Sequence, residues 1–174
     1  MTETGAIFAG IDAAKAKHAV AVAEPGRSGE VRYIGEIDAA ADAVRKLLTR
    51  LAARHGKLHV CYEAGPTGYG LYRQVIGLGH ECTVVAPSLI PRKAGDRVKT
   101  NRRDAVQLAR LLRAGELTAV WVPDEGHEAM RDLVRAREAA VDDLRRKRQV
   151  ISSLLLKHGR VYSGKTTWGA MHVR

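Results

Sequence analysis

Cysteine is nearly absent from this 174-residue chain: Cys61 and Cys82 are the only two, and neither has metal-ligand spacing to another cysteine or to a histidine. A disulfide framework is therefore excluded and a zinc site is not expected. Both thiols are expected to be reduced and buried, as in a cytosolic protein. No apolar run approaches the roughly 18 residues that a membrane span needs. The opening Met-Thr-Glu-Thr-Gly has no basic stretch leading into an apolar one, so a signal peptide is not expected either. Acidic residues are also scarce: 19 Asp and Glu face 29 Lys and Arg, a net charge of +10.

What remains is 45% hydrophobic and 28% charged, the composition of one substantial globular domain with an appendage. The distribution of charge matters more than its total. Residues 1–85 carry 10 basic and 9 acidic side chains, residues 86–113 carry 8 and 2, and residues 114–174 carry 11 and 8. More than half of the excess thus falls in one short stretch, which is either the footprint of nucleic-acid binding or a solvated helix face.

Hydrophobic patterning predicts strands over 6–12, 17–24 and 31–37, an antiparallel meander. A helix over 38–55 follows, capped by Asp38, with Val44, Leu47, Leu48 and Leu51 on its apolar face. A strand over 58–62 should run parallel to the first. A short helix near 68–78 would point Leu71, Val75 and Ile76 inward. A strand over 83–86 comes next, then a Pro- and Gly-bearing loop over 87–98, a helix from about 99 or 100 to 112, and an extended piece over 117–122. Residues 124–158 contain no Pro and only Gly126, and their apolar residues recur at nearly heptad spacing, interrupted by Arg137 and Arg148. That predicts one long helix, packed against a second helix in this chain or another copy, or folded back on its own sheet. The order β-β-β-α-β-α-β-α is that of a ribonuclease-H-like α/β fold with a mixed five-stranded sheet and flanking helices.

Four polar residues stand out against this frame. Asp12 ends the first apolar strand, Glu63 ends the fourth, and Asn101 and Asp104 lie three apart in Lys-Thr-Asn-Arg-Arg-Asp-Ala. A carboxylate at the end of a buried strand is costly to desolvate unless something compensates it. In this topology the first and fourth strands are neighbours, so the acids gather at one edge. Hard oxygen donors of this kind suit Mg²⁺ or Mn²⁺. Asn101 could equally be a helix N-cap. Tyr62, Tyr69 and Tyr72 are expected to pack rather than to stack on bases. An actin-like ATPase on the same sheet would need an Asp-x-Gly-Thr phosphate loop, which Asp12-Ala-Ala-Lys does not supply.

Four segments carry a family resemblance: Gly10-Ile-Asp-Ala-Ala-Lys, Tyr62-Glu-Ala-Gly-Pro-Thr-Gly-Tyr-Gly-Leu, the stretch Val98–Gly115, and Leu117-Thr-Ala-Val-Trp-Val-Pro-Asp. Together they resemble the N-terminal part of insertion-sequence DEDD transposases with a RuvC-like domain, the bridge-RNA-guided recombinases. The resemblance implies a RuvC-like domain over 1–123, a coiled-coil-type helix over 124–160, and over 161–174 the start of a further transposase domain. It implies an acidic tetrad of Asp12, Glu63, Asn101 and Asp104 holding Mg²⁺ or Mn²⁺ during DNA strand cleavage and exchange. Nucleic-acid contacts would come from Arg92, Lys93, Arg97, Lys99, Arg102 and Arg103. The implied partners are DNA, a guide RNA and further copies of the chain joined through the long helix, in the cytoplasm at the nucleoid, with no membrane. Two departures stand out. Asn101 replaces the usual Asp, which removes a charge that the loop residue Asp96 might restore, and the serine-bearing domain of the family is not in this chain. A catalytically incomplete nucleic-acid-binding and dimerisation module is the alternative reading, and a junction resolvase on the same fold is a nearer rival than the ATPase.

Overall fold

A computed structural model describes residues 6–91, 100–165 and 167–169. Five strands form one sheet: β1 (Ile7–Ala13), β2 (Lys17–Ala23), β3 (Val31–Asp38), β4 (Leu58–Glu63) and β5 (Glu81–Val85). Their spatial order is β3-β2-β1-β4-β5. β1 pairs antiparallel with β2 and β2 with β3, whereas β4 runs parallel to both β1 and β5. This is the mixed ribonuclease-H-like sheet that the element order implied. The described chain divides into two compact units, Met1–Val122 and Pro123–Arg174.

Strand alternation sorts side chains onto two unlike faces. On one face Ile7, Ile11, Val20, Val22, Leu58, Val60, Tyr62 and Val84 are buried with Val44 and Leu48 of α1 (Ala41–His55) and Val75 of α2 (Gly70–Gly77). Full burial of each such aliphatic side chain contributes about 1.5–3 kcal/mol. The other face is small: Ala19, Ala21 and Ala23 of β2 pack on Ala105 and Ala109 of α3 (Asn101–Ala114). Small residues let the helix backbone come very close to the sheet. At Gly10 a Cβ would lie 2.4 Å from the Ala105 carbonyl oxygen and from the Ala109 nitrogen, so only glycine fits beneath α3. At the sheet edge, Gly35 adopts φ 130° where the β2–β3 register shifts, the backbone of a bulge that a side chain would strain.

Several local expectations are corrected. α1 starts at Ala41, because Asp38 ends β3; the Asp38 carboxylate accepts the Ala40 N–H at 2.8 Å. α2 buries Val75 but leaves Ile76 44% exposed. Cys61 is buried as expected, but Cys82 is only half-buried, and both are free. Burial raises the Cys61 thiol and pushes Cys82 up to about 12, so neither is a nucleophile near neutral pH. Tyr62 is a core residue whose hydroxyl donates to the Gly68 carbonyl at 3.3 Å. The buried His18 accepts the Ala14 N–H on Nδ1, closing the β1–β2 turn, and desolvation holds its pKa below the usual value.

The second unit is dominated by α4 (Glu125–Lys157), 33 residues without a buried side chain. Asp124 caps it, accepting the His127 N–H at 2.8 Å. No helix among the described residues is long and apolar enough to cross a membrane.

The Gly10 seam yields a direct test. Gly10→Ala should lower the melting midpoint by roughly 5 °C or more, since overpacking against a rigid backbone costs at least about 1–3 kcal/mol. An unchanged thermal melt would mean that α3 does not bear on Gly10.

Candidate functional site

Asp12 is the penultimate residue of β1 and Glu63 the last of β4. The parallel register pairs Ile11 with Tyr62, so Asp12 and Glu63 are the next residues along two adjacent strands, spaced about 4.8 Å apart. Ile11 and Tyr62 point into the core beneath α1 and α2. Alternation therefore turns both acids to the opposite face, the one that α3 covers. Cys61 on that face lies with its Sγ 3.5 Å from the Leu108 carbonyl oxygen.

The direction of α3 follows from its two ends. Arg113 near its C-terminus donates to the Gly29 carbonyl at 2.6 Å and to the Glu24 carbonyl at 3.3 Å, both in the β2–β3 connection. That connection lies beside the start of β1, where Phe8 pairs with Ala23. The helix crosses Gly10 between Ala105 and Ala109, so its N-terminal turn reaches the end of β1 that carries Asp12.

Thr100 caps α3, its hydroxyl accepting the Arg103 N–H at 3.3 Å. The N-cap alternative for Asn101 is thereby excluded: Asn101 is the first helical residue, exposed, and one turn before Asp104. Asp104 is half-buried, and its Oδ2 is shut off from solvent with no hydrogen-bond partner. A buried acceptor left without a partner costs on the order of 1–3 kcal/mol, more if charged. A hard cation is the natural compensation, and the oxygen-only donor set of Asp12, Glu63, Asn101 and Asp104 fits one. Among the described residues no three His, Cys, Asp or Glu side chains are grouped closely enough to hold a metal ion by themselves. The acids share an end and a face of the sheet rather than a closed shell, and Mg²⁺ is commonly held by one or two carboxylates completed by phosphate and water.

The basic stretch is only partly in view. Arg92, Lys93, Asp96, Arg97 and Lys99 lie outside the described residues. Arg102 and Arg103 are exposed on the first turn of α3, and the Arg102 guanidinium sits 5.2 Å from the centroid of the Tyr33 ring on β3. Sequence reasoning missed Tyr33, Arg110 and Arg113, which line a groove with Arg102 and Arg103. The spacing of the arginines along one helix face could have revealed them. Nothing in the sequence links Tyr33 to that face.

Comparisons with known proteins agree with one another. The transposase model of the DEDD IS110 group matches residues 9–159. The Sinorhizobium fredii protein y4qE, named as a transposase, is 65% identical over 167 residues, covering 96% of this chain and 43% of the relative. The transposase for insertion sequence element IS1533 of Leptospira borgpetersenii is 42% identical over 115 residues, 66% of this chain and 33% of the relative. The chain thus spans less than half the length of these curated relatives. Among solved structures, RuvC of Thermus thermophilus overlaps with a TM-score of 0.47 at 11% identity, over 66% of this chain and 99% of that one. The strand order and pairing, rather than that overlap, identify the fold.

The donor set is testable by titration with Mn²⁺. Asp104→Asn should weaken binding at least tenfold by removing the compensating charge at the buried oxygen, and Asn101→Asp should strengthen it by adding one. Calorimetry in which both variants match the wild type would remove α3 from the ion's surroundings.

Proposed function

Because this chain belongs to the DEDD transposase family of IS110-type insertion sequences, we propose that it is the metal-binding nuclease domain of a DNA recombinase. What supports the reading is that Asp12 and Glu63 close two adjacent parallel strands on the face that α3 covers, with the Asp104 Oδ2 on the first turn of α3 buried and unpartnered. Asp12, Glu63 and Asp104 hold a divalent cation, and Asn101 lends a carbonyl oxygen one helical turn away. When bound, the cation supplies charge neutralisation and Lewis-acid polarisation at a phosphodiester oxygen. The rigid sheet and the capped first turn of α3 orient the acids. Arg102 and Arg103 hold the nucleic-acid backbone beside them, as does the rest of the basic stretch from Arg92 to Lys99. DNA is the substrate and a guide RNA the further partner, acting in the cytoplasm at the nucleoid.

Serving as an assembly module is the second reading, favoured by α4. Met130, Val134, Arg137, Val141, Leu144, Arg148, Ile151 and Leu155 follow one another at alternating spacings of about four and three, the seam of a coiled coil. Most of its apolar members are open to solvent: Met130 is 62% exposed, Val141 51%, Leu144 49% and Ile151 44%. Arg148, at one of the two charged positions, lies 5.4 Å from the Trp168 ring centroid. The seam is the surface through which two copies pair, bringing two carboxylate sites into one assembly.

Two measurements separate these readings. In a full-length chain carrying this domain, Asp12→Asn and Glu63→Gln should each lower strand cleavage by on the order of a hundredfold or more, with DNA affinity nearly unchanged. Equal loss of binding and cleavage would make the acids structural. In light scattering, this chain should be a dimer at micromolar concentration and Leu144→Glu a monomer. A monomeric wild type at high micromolar concentration would remove α4 pairing.

A further inference from the structure

The groove beside the carboxylate site has a composition that the metal chemistry does not require. It lies between the edge strand β3 and the outer face of α3, encloses about 880 Å³, and is lined by Tyr33, Arg102, Arg103, Gln107, Arg110 and Arg113, among others. Among the described residues its cations are all arginines, and the one acidic residue of the lining is Glu116. Arginine differs from lysine in presenting a flat, weakly hydrated fork that can stack and bind phosphate at once. One of them already meets an aromatic face: the Arg102 guanidinium sits over the Tyr33 ring at 5.2 Å. Hydrogen bonds tie the groove's lining to neighbouring backbone. Gln107 donates to the Pro91 carbonyl at 2.8 Å, and Arg113 is tied to the Gly29 carbonyl at 2.6 Å. From Arg102 to Arg113 the helix rises about 16 Å, room for several nucleotides. The groove begins two residues from Asp104, at the end of α3 that bears the acids.

We propose that this groove binds an unpaired nucleic-acid strand, with a base stacked on the Arg102–Tyr33 pair and phosphates held by Arg103 and Arg110. A paired duplex keeps its base faces covered by neighbouring bases, so a preformed flat platform recognises only a strand whose bases are free. The arginines track its backbone without reading sequence. The proposal rests on the nucleic-acid reading above but not on its metal chemistry.

The test is fluorescence anisotropy of this chain in EDTA, which silences metal-dependent cleavage, with one mixed-sequence oligonucleotide presented as single-stranded DNA, as single-stranded RNA and as duplex DNA. Either single strand should bind at least tenfold more tightly than the duplex, and the tighter of the two identifies whether the groove takes the DNA or the RNA strand. Arg102→Lys, which keeps the charge but not the flat face, should weaken single-strand binding roughly tenfold with an unchanged salt slope. Arg110→Gln should reduce the slope of log affinity against log salt by about 0.7, one phosphate contact. Arg50→Gln, exposed on α1 across the sheet from the groove, should leave binding intact. No binding of any oligonucleotide would overturn the nucleic-acid reading itself, whereas equal binding of duplex would overturn the groove alone. Thermal melts establish that each variant is folded. Duplex bound as tightly as single strand, or Arg102→Lys indistinguishable from wild type, would overturn the proposal.

Discussion

The close seating of α3 on β1 is the constraint from which the site follows. A strand and a helix normally keep their distance because side chains separate them. Here Gly10 offers none, and Ala19, Ala21, Ala23, Ala105 and Ala109 offer little. The helix backbone therefore rests against the strand, and its angle and height have little freedom. Asp104, one residue before Ala105, is carried to the end of the sheet where Asp12 and Glu63 emerge. A bulkier seam would lift the helix, and the third acid would lose its relation to the other two.

That placement has an electrostatic cost, which the surroundings partly offset. The buried oxygen of Asp104 receives no hydrogen bond. Arginines on the same turn of α3 raise the local potential, which favours the carboxylate, without hydrogen-bonding that oxygen. One helix thus presents two faces: its inner face carries Asp104 against the sheet, and its outer face carries Arg102, Arg103, Arg110 and Arg113.

The second unit obeys a different physics. α4 has a cap at its start and a heptad seam along its length, yet no buried residue. A 33-residue helix in water derives most of its stability from packing an amphipathic face, not from propensity. Its apolar seam is exposed, and two arginines interrupt it.

The sequence by itself determined the order and type of the elements, because period-two and heptad patterns are local properties of the chain. It also singled out Asp12 and Glu63, because a carboxylate closing an apolar run is conspicuous wherever the strand ends, and Asp104 by its place in a basic helix start. Helix starts were less legible: Asp38 has the chemistry of a cap, yet the strand pairing of β3 claimed it, and Thr100 rather than Asn101 caps α3. The inward turn of α2 was read one residue too generously at Ile76, since a short helix buries only a narrow stripe. Only the tertiary structure decided which face each acid shares, that the Asp104 oxygen is buried without a partner, and that Tyr33 meets Arg102 across 68 intervening positions. These depend on how closely a helix approaches a sheet, a distance set by the absence of a side chain at Gly10 and by contacts between residues that the sequence keeps far apart.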